Sequence, residues 1–168
     1  MRDAEIEAVY RQYAVPLKKY AMSLCHDETL AEDFTADAFL RALRDPNGCG
    51  ANRVFPWLCR IVRNRWIDHL RRRERQNVPL DEAPEVAEPS LPVEERAIQS
   101  EERLALYRAI GRLSPLWRDV VYLRAFAGLT FREIGEVLGQ SEVWARVTFY
   151  RCRMQLKGWM QDETDAFL

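Results

Sequence analysis

The sequence predicts an all-α protein made of two small helical domains joined by a flexible linker. Three observations carry that expectation. Apolar residues recur at three- and four-residue steps over most of the 168 residues, and no alternating run lasts long enough for a strand. Helix start and stop residues fall at the ends of those periodic stretches. Between two such regions, NVPLDEAPEVAEPSLPVEE carries four of the eight prolines, at 79, 84, 89 and 92, and each disfavours helix in the residues before it.

In the first region, Ile6, Val9, Tyr10 and Tyr13 form a stripe that Leu17, Tyr20, Ala21 and Leu24 continue, with Pro16 expected to interrupt or restart the helix. A second helix is expected from about Thr29 to Arg44, with Leu30, Phe34, Ala38 and Leu43 inward, and DPNGCG ends it. A third runs from about Phe55 to Glu74. Its apolar stripe is Leu58, Ile61, Val62, Trp66 and Leu70, and Arg60, Asn64, Asp68, Arg71 and Arg75 lie opposite. After the linker, helices are expected over about 96–111, 115–127, 130–138 and 142–160. Ser114 before Pro115 reads as an N-cap and first helical position, and Gly128 as a helix end. Thr130 and Glu133 make a capping-box pattern, Gly139 a stop, and Ser141 the last cap.

Composition sets broad limits. With 48% hydrophobic and 30% charged residues the chain reads as soluble and globular. MRDAEIEAVYRQY lacks the basic-then-apolar order of a secretion signal, and no stretch approaches the roughly 18 apolar residues of a membrane span. The cytoplasm is the expected compartment, without membrane insertion. Cys25, Cys49, Cys59 and Cys152 show no CxxC spacing, and His26 and His69 lie far apart, so buried or idle thiols are expected rather than a disulfide framework or a zinc site. No metal or cofactor is expected. The net charge of -1 hides segregation: residues 1–78 hold 14 basic and 11 acidic residues, 79–102 hold 1 and 8, and 103–168 hold 10 and 7. Two mildly basic pieces flank an acidic joint.

Two stretches carry chemistry. RIVRNRWIDHLRRRER, residues 60 to 75, gathers seven arginines against two acids; arginines this dense repel one another unless they are well solvated or face an anion. TFREIGEVLGQSEVWARVTFYRCR, residues 130–153, gives a short amphipathic helix, a tight turn at Leu138-Gly139-Gln140 and a longer helix from Ser141. That economy of length suits a helix-turn-helix, whose second helix enters a major groove about 12 Å wide. Ile134, Val137 and Leu138 are expected to pack inward against Val143, Val147 and Tyr150, leaving Glu142, Ala145, Arg146 and Phe149 near the groove. Arg151, Arg153 and Lys157 continue along the helix as phosphate contacts would require.

The whole chain resembles a group IV, or extracytoplasmic-function, sigma factor of bacterial RNA polymerase. AEDFTADAFLRAL is similar to the family's A-E-D-x-x-Q-E-x-F segment and FPWLCRIVRNRWIDHLRRR to its W-L-x-x-I-x-x-N-x-x-x-D-x-x-R segment. LSPLWRDVVYLRAFAGLTFREIGEVLGQSEVWARVTFYRCRMQL is similar to its L-P-x-x-x-R-x-V helix-turn-helix domain. The resemblance implies a sigma-2-like domain over 1–78, an acidic linker over 79–100 that threads toward the active-site and RNA-exit channels, and a sigma-4-like domain over 101–168. It also implies action by binding rather than catalysis: promoter selection for core polymerase, under an anti-sigma factor that covers both DNA-binding faces.

The implied sites follow residue by residue. On the helix that docks to the clamp helices of the polymerase β′ subunit, Glu32, Asp33 and Asp37 supply charge and Phe39, Leu40 and Arg41 complete the contact. Minus-ten recognition and melting falls to the loop from Asn47 to Val54, with Arg53, and to the third helix. There Arg60, Arg63, Arg65, Arg71, Arg72 and Arg73 contact phosphates, while Asn64, beside Asp68, offers donor and acceptor to a base edge. Minus-thirty-five reading falls to Thr130, Ser141, Glu142, Trp144, Ala145 and Arg146, followed by Phe149, Tyr150, Arg151 and Arg153, on a domain that sits on the β flap. Ala36 stands where the family often has Gln, and Val143-Trp144 and Ala145-Arg146 replace the usual Gly-Thr and Val-Lys. Trp144 is expected either on the sugar-phosphate backbone or on the neighbouring helix.

Two rivals differ in class. A DNA-binding repressor or activator shares the helix-turn-helix but gives no reason for the acidic helix 29–44. A metal-dependent hydrolase using Glu32, Asp33, Asp37 and His26 lacks a second cluster to complete a site.

Overall fold

The computed structural model describes residues 3–50, 53–76 and 101–166. The linker expected at 79–100, the helical start expected at 96–100 and residues 51–52 of the loop lie outside the described residues. The first module is three helices: α1 (Asp3–Cys25), α2 (Glu28–Arg44) and α3 (Val54–Arg75). α1 is one helix, not two, and carries Pro16 inside it. Ile6, Leu17, Tyr20 and Ala21 keep one phase across the proline and are all buried, and burying side chains of this size, at about 1.5–3 kcal/mol each, outweighs the roughly 3 kcal/mol an interior proline costs. His26, at φ 53, turns the chain. Asp27 then caps α2 by accepting from the Leu30 amide at 3.1 Å. On α2, Phe34 and Ala38 point inward as expected, and so does Phe39, but Leu43 is exposed.

The second module holds α4 (Glu101–Arg112), α5 (Pro115–Val121) running into a π-helical segment (Tyr122–Phe126), α6 (Phe131–Leu138) and α7 (Glu142–Ala166). Ser114 precedes Pro115 but makes no side-chain cap bond; its carbonyl accepts from the Arg118 amide instead. The capping box forms as expected: the Glu133 amide donates to Thr130 Oγ1 at 3.2 Å and the Thr130 amide donates to Glu133 Oε1 at 2.9 Å. Ser141 caps α7 by accepting from the Trp144 amide at 3.0 Å. The turn between α6 and α7 depends on Gly139 at φ 68. It depends equally on Gly135, where a Cβ would sit 2.6 Å from the Gln140 carbonyl oxygen.

The two modules pack against each other. α6 lies on α3, and the π-helical segment reaches α1. One apolar cluster therefore runs through both, from Leu17, Phe34, Leu58 and Val62 to Val120, Leu123, Ile134 and Val137. A second, smaller cluster around Ile110, Leu113 and Cys152 closes the far side of the second module. Along the seam, Arg63 Nε pairs with Asp119 Oδ2 at 3.5 Å and Arg53 Nη1 with Glu133 Oε1 at 3.4 Å. Burial pushes the Asp119 carboxyl up to about 7, with Arg63 and Arg118 pulling the other way. The buried Tyr20 and Tyr122 hydroxyls lie within its field, and both are raised chiefly by burial.

Two predictions follow from this packing. Gly135→Ala gains intrinsic helix propensity of about 1 kcal/mol, but its methyl meets backbone rather than a movable side chain. A net destabilisation of roughly 1–3 kcal/mol is expected, read as a lower melting temperature and weaker duplex binding. For Asp119, a carboxyl raised in the packed state stabilises the seam below the ordinary carboxylate range, and this contribution is lost as pH rises through about 7. Between pH 6 and pH 8 the loss is on the order of 1 kcal/mol. Melting at the two pH values should show a larger downward shift for the wild type than for Asp119→Asn, which does not titrate.

Candidate nucleic-acid interface

α3 divides its arginines by direction. Leu58, Cys59, Ile61 and Val62 are buried, with Trp66 half-buried beside them, whereas Leu70, at the end of the expected stripe, is exposed. On the open side, Arg60, Asn64, Asp68, Arg71 and Arg72 are exposed, and Arg73 is half-buried. Asn47 is exposed in the turn before the helix. This run of cations is what a phosphate chain needs, and Asn64 stands within it with a free amide for a base edge. Three of the expected cations point elsewhere. Arg65 pairs with Asp37 of α2 at 2.7 Å and lies over the Phe34 ring, while Arg63 and Arg53 pair across the seam. Trp66 stacks on His69 within the module, and burial together with nearby arginines lowers the His69 pKa.

α2 turns Asp33, Ala36, Leu40, Arg41 and Leu43 to solvent. Leu40 is 47% and Leu43 46% exposed, so two leucines stand open further along the helix that exposes Asp33. Glu32 pairs with Lys18 of α1 at 3.1 Å while keeping most of its surface. Phe39 does not belong to this face: it is 6% exposed and meets Tyr10 edge-on. Its position one residue before Leu40 turns it by about 100° toward α1.

On α7 the expected register is rotated. Ala145, Thr148, Cys152 and Leu156 face inward, and Phe149 is half-buried against Phe131 of α6. Val143, Val147 and Tyr150, expected inside, are 64%, 42% and 60% exposed, and Met154 is 69% exposed. Ala145 and Phe149 are thus not on the outer face. This register puts the small residues Ala145, Thr148 and Cys152 on the buried side of α7. Trp144 is half-buried and packs against the core, the second of its two expected positions. Ser141 and Glu142 stand exposed at the start of the helix, while Thr130, also exposed, caps the start of α6. Arg146 pairs with Glu142 at 3.2 Å and lies over the Phe131 ring. Beside it, Val147, Tyr150, Arg151 and Met154 line an open groove of about 670 Å³ together with Trp117. Arg153 is exposed.

The thiols show how burial governs reactivity here. Cys59 and Cys152 are both fully buried; burial pushes Cys152 up to about 11 and drives Cys59 higher still, aided by the Glu133 charge. Among the described residues no helix is long and apolar enough to cross a membrane.

Comparison with known proteins fits this arrangement. Residues 9–76 match the family Sigma-70 region 2, and residues 103–156 match Sigma-70, region 4. The ECF RNA polymerase sigma factor SigM of Bacillus subtilis (strain 168) is 25% identical over 152 residues, spanning 90% of this chain and 93% of that protein. The ECF RNA polymerase sigma factor BldN of Streptomyces coelicolor is 30% identical over 163 residues, 92% of this chain and 60% of that protein. In structure, the sigma factor RpoE in complex with the anti-sigma factor NepR from Bartonella quintana superposes with a TM-score of 0.69 at 19% identity, covering 92% of this chain and 98% of that one. CnrH in complex with the cytosolic domain of CnrY gives 0.66 at 24% identity, covering 96% and 90%. Region 2 carries the arginine-lined α3, region 4 carries the capped helix-turn-helix, and the chain belongs to the extracytoplasmic-function branch of the sigma-70 family of RNA polymerase sigma factors.

Proposed function

We propose that this chain directs core RNA polymerase to specific promoters, working in the cytoplasm by binding and not by catalysis. The domains divide the labour as 1–78, 79–100 and 101–168. In the first, the exposed α2 face around Asp33, Leu40 and Leu43 docks on the β′ clamp helices. α3 holds the minus-ten strand, with Arg60, Arg71 and Arg72 on phosphates and Asn64 on a base. In the second, α7 reads the minus-thirty-five element through Glu142, Arg146, Val143 and Val147, and the module rests on the β flap. An anti-sigma factor that covers these faces keeps the chain from engaging polymerase at the wrong time. The observation that carries the reading is the exposed stripe Arg60, Asn64, Arg71 on a helix whose opposite side, Leu58, Cys59, Ile61 and Val62, is buried in the core.

The direct test is run-off transcription by core enzyme with and without the chain, on promoters that core alone ignores; promoter-specific transcripts are expected, and their absence contradicts the reading. Asp33→Lys with Leu40→Asp should abolish association with core while leaving DNA binding by the free chain intact, which separates this function from that of a plain DNA-binding regulator. Arg60→Ala and Arg71→Ala should each flatten the salt dependence of single-strand binding by about 0.7 in log–log slope. Asn64→Ala should leave that slope alone and relax sequence preference.

A further inference from the structure

The outer face of α7 carries an apolar strip that packing within the chain leaves unused. Val143, Val147, Tyr150 and Met154 follow one another at steps of four, three and four residues, so at 3.6 residues per turn they fall within a sector of about 60°. All four are exposed, although a helix ordinarily turns such a stripe toward the core. The inward places are held instead by Ala145, Thr148, Cys152 and Leu156. By the same helical spacing Arg146 and Arg153 flank the strip on one side and Arg151 on the other, all three exposed. From Val143 to Lys157 the helix carries no acid. An apolar centre between two cationic flanks is complementary to a surface with anionic rims and apolar groups on its floor. The major groove of a duplex is such a surface wherever its floor presents a methyl group, and among the four standard bases only thymine presents one, at C5.

The first two turns of α7 are built to meet that group. Val143 is 64% and Val147 42% exposed, and they stand about 6 Å apart along the helix axis, a spacing that lets each meet a different base pair. Valine has one strongly preferred rotamer in a helix, so both isopropyl groups are fixed before contact and little ordering cost remains. Arg146, held by Glu142 at 3.2 Å and lying 5.5 Å from the centre of the Phe131 ring, brings charge alongside while both valines stay open. Resting on the reading of α7 as the minus-thirty-five helix, we infer that Val143 and Val147 form a reader of pyrimidine C5 methyl groups: the chain separates thymine from uracil, and 5-methylcytosine from cytosine, at two positions of its duplex site. The methyl carbon is the same in both bases, so cytosine methylation at such a position becomes an input to promoter choice.

The test uses the full chain without polymerase. Immobilised protein selects duplexes from a random-sequence pool, and a selected site is then remade with deoxyuridine for thymine, one position at a time. Two positions are expected at which loss of the methyl weakens binding about fourfold, the effect of one buried methyl group. Val143→Ala should erase the loss at one of them and Val147→Ala at the other, whereas Arg146→Ala should weaken every duplex and leave the methyl sensitivity in place. Both valines are exposed, so alanine there removes no core contact, and an unchanged melting temperature verifies it. With a cytosine–guanine pair at either position, 5-methylcytosine should bind about fourfold tighter than cytosine, and the matching alanine variant should remove that difference. Indifference to uracil at every thymine overturns the inference, as does a sensitivity that survives both alanine variants or a selection that enriches no duplex. Run-off transcription with core enzyme is scored separately: a chain that directs initiation but ignores the methyl group ends this inference alone, and methyl-sensitive binding without transcripts ends only the promoter-directing reading.

Discussion

Everything in this fold is arranged around the three demands placed on α3. Its 22 residues must fill the core of the first module, support the second, and leave a cationic edge in water. Leu58 and Val62 meet the first demand, Cys59 with Arg63 the second, and Arg60, Asn64 and Arg71 the third. Because 3.6 residues make a turn, these sets project in different directions from one rigid rod. A helix so anchored holds its arginines in place before any anion arrives, which reduces the ordering cost of binding. Mutual repulsion among the arginines is eased by acids drawn from three elements: Asp37, Asp119 and Glu133.

The helix-turn-helix solves a different problem. α6 has only eight residues and is too short to persist alone, so its capping box and its contact with α3 and α7 must hold it. Gly135 lets the following turn come within contact of the α6 backbone, and Ala145 is fully buried on the inward side of α7. The larger apolar residues of α7 are thereby left outside. Val143 and Val147 give the outer face apolar contacts suited to thymine methyl groups, while Tyr150 and Met154 continue the strip beyond the first turns. The same face carries Arg146 and Arg151, so it combines apolar area with positive charge.

Much of this was legible in the sequence. The all-α class, the capping box at Thr130 and Glu133, the cap at Ser141 and the outward stripe on α3 all follow from spacing and side-chain chemistry that act within one or two turns. Where spacing failed, long-range packing decided. Pro16 reads as a break, yet Ile6, Leu17 and Tyr20 share a phase across it, and the packed face held the helix together. On α7 two stripes have equal periodicity. Hydrophobicity favours Val143, Val147 and Tyr150, whereas the packed structure buries Ala145, Thr148 and Cys152. Leu43 and Phe39 exchanged roles on α2 for a similar reason, since Tyr10 of α1 covers one and nothing in the module covers the other. The seam had no local signal at all: neither Asp119 nor Glu133 stands in a motif that points to α3, Asp119 being legible only as a helix residue and Glu133 only as the capping-box partner of Thr130. Thus the open stripe of Arg60, Asn64 and Arg71 on α3 could be placed from sequence, but not the sides that Phe39 and Leu43 take on α2 or the packing of one module on the other.

A sigma factor has to hold separated promoter elements at once, so its two modules must part to work, while this chain joins them through a common core. That contrast makes the closed state the central claim, and small-angle X-ray scattering of the purified full chain measures it most directly. One compact body is expected, with a radius of gyration within a few ångströms of the roughly 15 Å of a single domain of this length. A profile that only two separated bodies can fit, at moderate salt and without polymerase or DNA, would contradict it.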